Sequence, residues 1–321
     1  MLMPKLDKKD YAILRELDLN YRKSFARIAK KVRLSKNSVA LRFEKLRPYI
    51  SHALTSIDFD RLGYTEVRIF YTFGFYNKSI EEEIVEELKT YKNVAWATRF
   101  YGRYDLLVCF MFRDVQDFIS QVERFNQRFE DSIIKKDMQI LSDQKHIRHN
   151  FIHKEPVYDI FRVKAGRKKY GLSDTSRKIL LTMMHNPRMN ITDISKKTGL
   201  STKTVSNNIK KLEKDRIIIG YFPTYLPVKF NHVMYKLLLR VQNQKIKDEF
   251  DSYLTGIKNI RFIAKTIGLW DYEIDAIYPN ITSLQKEIEN MNEKFQKAIK
   301  RVEIMSLGVK IYTNERSYLE N

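Results

Sequence analysis

Residues Leu34–Leu46 read LSKNSVALRFEKL, and Leu200–Leu212 read LSTKTVSNNIKKL. Both begin Leu-Ser, carry a valine at the sixth position and close on leucine. A serine followed by apolar residues at helical spacing marks a helix N-terminus. Ser35 and Ser201 should therefore each cap a helix, with Val39, Phe43 and Leu46 inward in one and Val205, Ile209 and Leu212 in the other. The stretches lie 166 residues apart, and the same offset carries Leu6 onto Leu172, Ile13-Leu14 onto Ile179-Leu180 and Ile28 onto Ile194. Further along it carries Gly102 onto Gly268, Asp105 onto Asp271 and Phe129 onto Phe295. A period this long exceeds any solenoid unit. It predicts two copies of a two-module unit in one chain of 321 residues.

The charge follows the repeat. Of the net +20, residues 1–50 supply +9, from 14 Lys/Arg against 5 Asp/Glu, and residues 166–216 supply +9, from 13 against 4. Two basic blocks at equivalent places point to a polyanionic partner gripped twice. A generally lysine-rich composition would spread the charge evenly. An apolar fraction of 43% with 12% aromatics is ample for packed cores and excludes a disordered chain. The single cysteine, Cys109, lies in an apolar run and is expected as a buried thiol. Neither a signal peptide nor a membrane-spanning run is recognisable, so a cytoplasmic protein is expected.

Periodicity divides each copy in two. Around the quoted stretches the spacing is helical. Asp7 can cap a helix through Tyr11, Ile13, Leu14 and Leu17, and Ser24 a second through Ile28, Ala29 and Val32. Ser173, Ile179–Met183 and Ile191–Thr198 repeat the pair, with Gly199 at the helix end. Beyond each triad the spacing alternates. Val67–Phe73, Ile80–Tyr91, Val94–Tyr101, Asp105–Phe112, Val115–Phe129 and Ile133–Leu141 read strand, helix, strand, strand, helix, strand, and 233–312 repeat this order. The expected class is α+β, two tandem copies of a three-helix headpiece followed by a ferredoxin-like β-α-β-β-α-β domain. The expected boundaries are 1–57 and 172–226 for the headpieces, 58–141 and 227–321 for the sheet domains, and 142–171 for a basic linker.

Two helices joined by a short turn, the second capped by a hydroxyl, form a helix-turn-helix whose second helix enters the major groove N-terminus first. That places Ser35, Lys36, Asn37 and Ser38 against base edges, with Arg42 and Lys45 a turn or two further on. The second copy offers Ser201, Thr202, Lys203, Thr204, Asn207, Asn208 and Lys211. Asn pairs bidentately with adenine, and Arg or Lys with guanine. Lys30, Lys31, Lys196, Lys197, Lys210 and Lys211 suit phosphate contacts, which position without reading sequence. The bland alternative is a three-helix domain with a solvated basic face.

In these features the chain resembles the Lrp/AsnC family of transcription regulators. The likeness rests on Leu6-Asp7-Lys8-Lys9-Asp10, on the two Leu-Ser pairs, on Ile217-Ile218-Ile219-Gly220-Tyr221 as a wing, and on the turns Gly102-Arg103-Tyr104-Asp105 and Gly268-Leu269-Trp270-Asp271. It implies a winged helix-turn-helix joined to a RAM sensor domain, double-stranded DNA as partner, and homo-oligomers built through the sensor sheets. It also implies an amino-acid-like effector near Gly102, Tyr104, Asp105, Gly268, Trp270 and Asp271. Turn chemistry alone would equally place glycine and aspartate there. The first copy departs from the pattern: Pro48 should end its recognition helix, which leaves the first wing in question.

No catalytic residues, cofactor or metal is expected. His146, His149 and His153 have helical metal spacing without completing ligands, so a solvated or phosphate-facing basic linker is preferred. The rival from another class is enzymatic. Siroheme decarboxylases resemble Lrp/AsnC proteins but lean on histidine and arginine in the sensor cleft, and the only histidine of the expected sensor modules is His232, near the start of a strand. An effector-binding assembly protein that binds no DNA is the third reading.

Overall fold

A computed structural model describes residues 6–157, 160–242, 246–314 and 317–320. The first five residues lie outside them. The chain divides into two compact units. One holds Met1–Asp58, Ile147–Phe161 and Leu172–Asn231, and the other holds Phe59–His146, Arg162–Gly171 and His232–Asn321. The structure thus groups the headpieces of the two copies together, and likewise their sheet domains.

The first unit holds both triads. Helices α1 (Lys8–Leu19), α2 (Phe25–Val32) and α3 (Lys36–Leu46) bury Ile13, Leu14, Leu17, Ile28, Val39 and Leu46. Asp7 closes a capping box with Asp10, and Ser24 and Ser35 cap the next two helices as their spacing predicted. Pro48 does end α3, in a 3-10 turn over Arg47–Tyr49, yet strand β1 (Ile50–Ile57) follows directly. In the second copy, α6 (Asp174–Met183), α7 (Ile191–Thr198) and α8 (Thr202–Lys214) lead to β7 (Ile218–Tyr225). The strands in the two wing positions pair with each other, antiparallel, from Ile50↔Tyr225 to Ile57↔Ile218.

Arginines at equivalent positions reinforce that pairing. Arg22 donates to the carbonyls of Pro187 and Met189, the latter at 2.9 Å. Arg188 donates to those of Tyr21 at 2.5 Å and Lys23 at 3.0 Å, and stacks 4.3 Å over Phe25. Each arginine satisfies backbone acceptors of the other copy, so the headpieces hold together without an acidic partner.

In the second unit each copy builds the expected ferredoxin-like sheet. The first has β2 (Thr65–Phe73), α4 (Lys78–Leu88), β3 (Val94–Tyr101), β4 (Leu106–Phe112), α5 (Val115–Arg128) and β5 (Ile133–Ile147). After β6 (Ile160–Lys164), on the edge of β5, the second has β8 (Val233–Val241), α9 (Lys247–Gly256), β9 (Ile260–Gly268), β10 (Tyr272–Tyr278), α10 (Ile281–Phe295) and β11 (Ile299–Thr313), with a short α11 (Ser317–Glu320). Val67, Ile69 and Tyr71 face helices α4 and α5, where they meet Ile84, Leu88, Phe118 and Phe125.

The two sheets join at both edges. β5 pairs with β2 of its own copy (Val67↔Ile140 to Phe73↔Ile133), then with β9 of the other (Gln139↔Gly268 to His146↔Phe262). β11 does the same with β8 and then β3 (Ile299↔Val241 to Ser306↔Tyr235, Ser306↔Tyr101 to Thr313↔Trp96). Eight strands thereby close in the order β2-β4-β3-β11-β8-β10-β9-β5 and back to β2. Closure removes the free edges that would otherwise recruit other strands.

The expected strand end at Leu141 is corrected here. β5 runs on to Ile147, because residues beyond Leu141 find a partner strand 120 residues away that the local pattern does not reveal. The expected linker 142–171 is therefore partly strand.

Candidate nucleic-acid interface

The second helix of each triad is positioned by its cap. Ser35 Oγ accepts from the Ser38 amide at 3.0 Å, and Ser201 Oγ from the Thr204 amide at 3.1 Å. The same hydroxyls meet the Ser38 and Thr204 hydroxyls at 2.8 and 2.9 Å, so Ser38 and Thr204 belong to the cap and are half-buried. The turn before each reader needs a left-handed residue. Gly199 supplies it at φ 71°, whereas the first copy places Arg33 at φ 55°. Lys36 and Asn37 of α3, and Thr202, Lys203, Asn207 and Lys211 of α8, are exposed.

Arg42 sits elsewhere than its sequence reading placed it. Its guanidinium donates to Asp7 and to Asp10, both at 2.6 Å, and Lys45 reaches Asp10 at 2.7 Å. Burial alone would raise the Asp10 carboxyl. The Lys45 ammonium, the Asp7 amide and the Arg42 guanidinium outweigh it and hold the group below its usual range. Asn208, the counterpart of Arg42, accepts from the Ser176 hydroxyl at 3.1 Å and donates to the Thr204 carbonyl at 2.9 Å. Ser176 is the counterpart of Asp10. Both copies thus tie the reader to the first helix at the same point, with an ion pair in one and neutral groups in the other. Near Asn190, the cap of α7, a groove of about 420 Å³ includes Lys196 and Lys197, the phosphate candidates of the second copy.

Two of the three histidines correct the reading of a solvated or phosphate-facing linker. His149 Nδ1 donates to Asp18 Oδ1 at 2.7 Å and His153 Nε2 to Asp18 Oδ2 at 2.8 Å, all three residues being buried. Burial would raise Asp18, but the two imidazoles overcome it and hold the carboxyl well below its usual range. The segment after β5 is thereby pinned to the first triad.

At the sheet-domain turns the carboxylates are already engaged. Asp105 accepts from the Phe73 amide at 2.8 Å and Asp271 from the Val241 amide at 2.9 Å. Tyr104 and Trp270 are buried and meet each other, Trp270 Nε1 donating to the Tyr104 hydroxyl at 3.1 Å, while that hydroxyl donates to Asp137. Around them Phe70, Leu107, Leu238 and Met305 form an apolar cluster within the strand ring.

The sequence reading missed a buried charged group in the same ring. Arg68 reaches Glu273 at 2.7 Å and Glu66 at 2.8 Å, and Lys236 reaches Asp275 at 2.6 Å. The only available signal was charge inside strands, which ordinarily reads as a solvated face.

Two capped reading helices in one unit define a helix-turn-helix protein. The AsnC-type helix-turn-helix domain family matches residues 6–47, and the winged helix-turn-helix DNA-binding family matches residues 172–219. The first headpiece thus matches the AsnC type and the second the winged helix-turn-helix type, in keeping with the Lrp/AsnC family that the motifs resemble. It is similar to the proline dehydrogenase transcriptional activator of Rhodobacter capsulatus, 27% identical over 35% of this chain and 75% of that protein. It is also similar to an uncharacterised HTH-type transcriptional regulator of Pyrococcus horikoshii, 23% identical over 41% of this chain and 86% of that one. Each such relative corresponds in length to a single copy.

Among solved structures, siroheme decarboxylase NirDL matches both copies together. It covers 97% of this chain and 96% of its own, with a TM-score of 0.63 and 12% identity. The same enzyme with an iron-uroporphyrin III analogue gives 0.62. This corrects the expectation that the chain is not an enzyme, because its two-copy fold is one that an enzyme also uses. Among the described residues, no helix is long and apolar enough to cross a membrane.

Proposed function

We propose that the chain is a sequence-specific regulator of transcription that binds double-stranded DNA with two readers supplied by one polypeptide. The observation that carries this reading is the pair of serine-capped helices, α3 and α8, each presenting an exposed polar N-terminal face within a strongly basic headpiece. Groups that read bases must be free, and Lys36, Asn37, Lys203 and Asn207 are exposed while Arg42 and Asn208 hold their own triads together. Association should weaken with salt by about 0.9 log units per log unit for each phosphate neutralised. A gel-shift series against a genomic fragment pool at rising salt tests this. A flat response, or no retention in dilute buffer, rejects DNA binding and favours an assembly protein.

The proposal includes modulation by an amino-acid-like effector at Gly102, Tyr104, Asp105, Gly268, Trp270 and Asp271. A ligand ammonium reaching Asp105 or Asp271 would compete with the backbone N–H groups of Phe73 and Val241, which now donate hydrogen bonds to those carboxylates. Assembly into homo-oligomers through the sheet domains stands with it as a proposal.

The whole-chain likeness to NirDL supports a second reading, decarboxylation of a tetrapyrrole. Titration with siroheme distinguishes the two. A saturable shift in the visible band with release of carbon dioxide supports the enzyme, and an unchanged spectrum supports the regulator.

A further inference from the structure

The two readers belong to one chain, and their outer faces are not alike. Along α3, Val39, Phe43 and Leu46 turn inward, yet Leu41 is 76% exposed. Its counterpart in α8 is Asn207, also exposed. Residues four apart on a helix stand over one another. Asn37 and Leu41 therefore form one reading column, and Lys203 and Asn207 form the equivalent column of the second copy. The neighbouring pair, Arg42 and Asn208, is withdrawn from both faces by its bonds to the first helix of each triad. The exposed columns then differ at both places, an amide against an ammonium at the first and an aliphatic side chain against an amide at the second.

A lone exposed leucine on a protein surface is ordinary. One on a reading face, beside an exposed asparagine, meets a groove whose single apolar feature is the C5-methyl of thymine. Asparagine instead matches the N6 donor and N7 acceptor of adenine, and lysine the O6 and N7 acceptors of guanine.

Resting on the DNA-binding reading, we propose that the chain recognises an asymmetric site whose unlike halves are set by Asn37 and Leu41 in one and by Lys203 and Asn207 in the other. The α3 half-site is all A·T at the contacted pairs, adenine opposite Asn37 and thymine opposite Leu41. The α8 half-site contains a G·C pair opposite Lys203 and adenine opposite Asn207.

Selection from a randomised duplex pool, with the full chain and with Leu41→Asn and Asn207→Leu, tests this. Both positions are exposed, so thermal unfolding of the variants should match the parent. The expected parent consensus has two unlike halves. Leu41→Asn should shift one position of the A·T half from thymine to adenine by about tenfold and leave the other half unchanged, and Asn207→Leu should do the converse. A palindromic parent consensus, or a consensus that neither substitution changes, overturns the inference while DNA binding stands. Failure to enrich any duplex removes both.

Discussion

Arg42 shows what one side chain does when its neighbours decide its role. Asp10 is wholly buried, and Arg42 and Lys45 are the cations that meet it. Removing a hydrogen-bonded partner from a buried carboxylate costs about 1–3 kcal/mol. Arg42→Ala should therefore lower stability by an amount in that range, read in urea unfolding, whereas Lys36→Ala should leave stability unchanged. The reverse order would return Arg42 to the reading face. The sequence placed Arg42 among the readers because it follows Ser38 by one helical turn. Ser38 is itself half-buried in the cap, so its column points toward the first helix. Helical spacing reveals which residues share a face, but not which face another helix covers.

Protonation offers a second test at this scale. Burial, with Arg261 nearby, pushes the His146 imidazole down to about 4, while an unfolded histidine titrates near 6.5. The unfolded chain then binds the extra proton first, so stability falls as pH drops from about 6.5 toward 4, by on the order of 2 kcal/mol. Asp18 has the opposite charge but the same direction. Its carboxyl is held below the unfolded value, so its contribution is present above about 3.9 and is lost only at lower pH. His146→Phe should flatten the unfolding midpoint between pH 6.5 and 4. A slope unchanged by the substitution would count against burial as the cause.

At the level of elements, the turns carry most of the constraint. A Cβ on Gly268 would lie 2.3 Å from the Met138 carbonyl, where β5 crosses to β9. One on Gly199 would meet nothing within 4 Å, leaving only the left-handed φ of 71° to penalise it. Gly199→Ala should therefore cost about 1 kcal/mol, and Gly268→Ala distinctly more, because backbone must move. Comparable unfolding midpoints for the two variants would refute this. Helices, caps and the strand order of each sheet were legible because they depend on local spacing. The continuation of β5 to Ile147 and the buried Arg68–Glu273 pair were not. Both depend on a second copy covering a face that alternation alone assigns to water.

At the scale of the whole molecule, backbone pairing ties the two copies to each other. In each unit the copies share backbone hydrogen bonds: β1 with β7 in the headpieces, and β5 with β9 and β11 with β3 in the ring. A chain ending at residue 157 would leave β1, β3 and the outer half of β5 as open edges, which seek any matching strand. The first half expressed alone should therefore pair with itself or precipitate, since its own β5 can take the place of β11 along β3. Mixing it with residues 160–321 should restore a 1:1 complex, because the second copy offers the side chains evolved for each join, Trp270 against Tyr104 and Arg188 over Phe25. Light scattering after size exclusion reads the outcome. A folded, monomeric half would show that the strand exchanges are incidental and that each copy is self-sufficient.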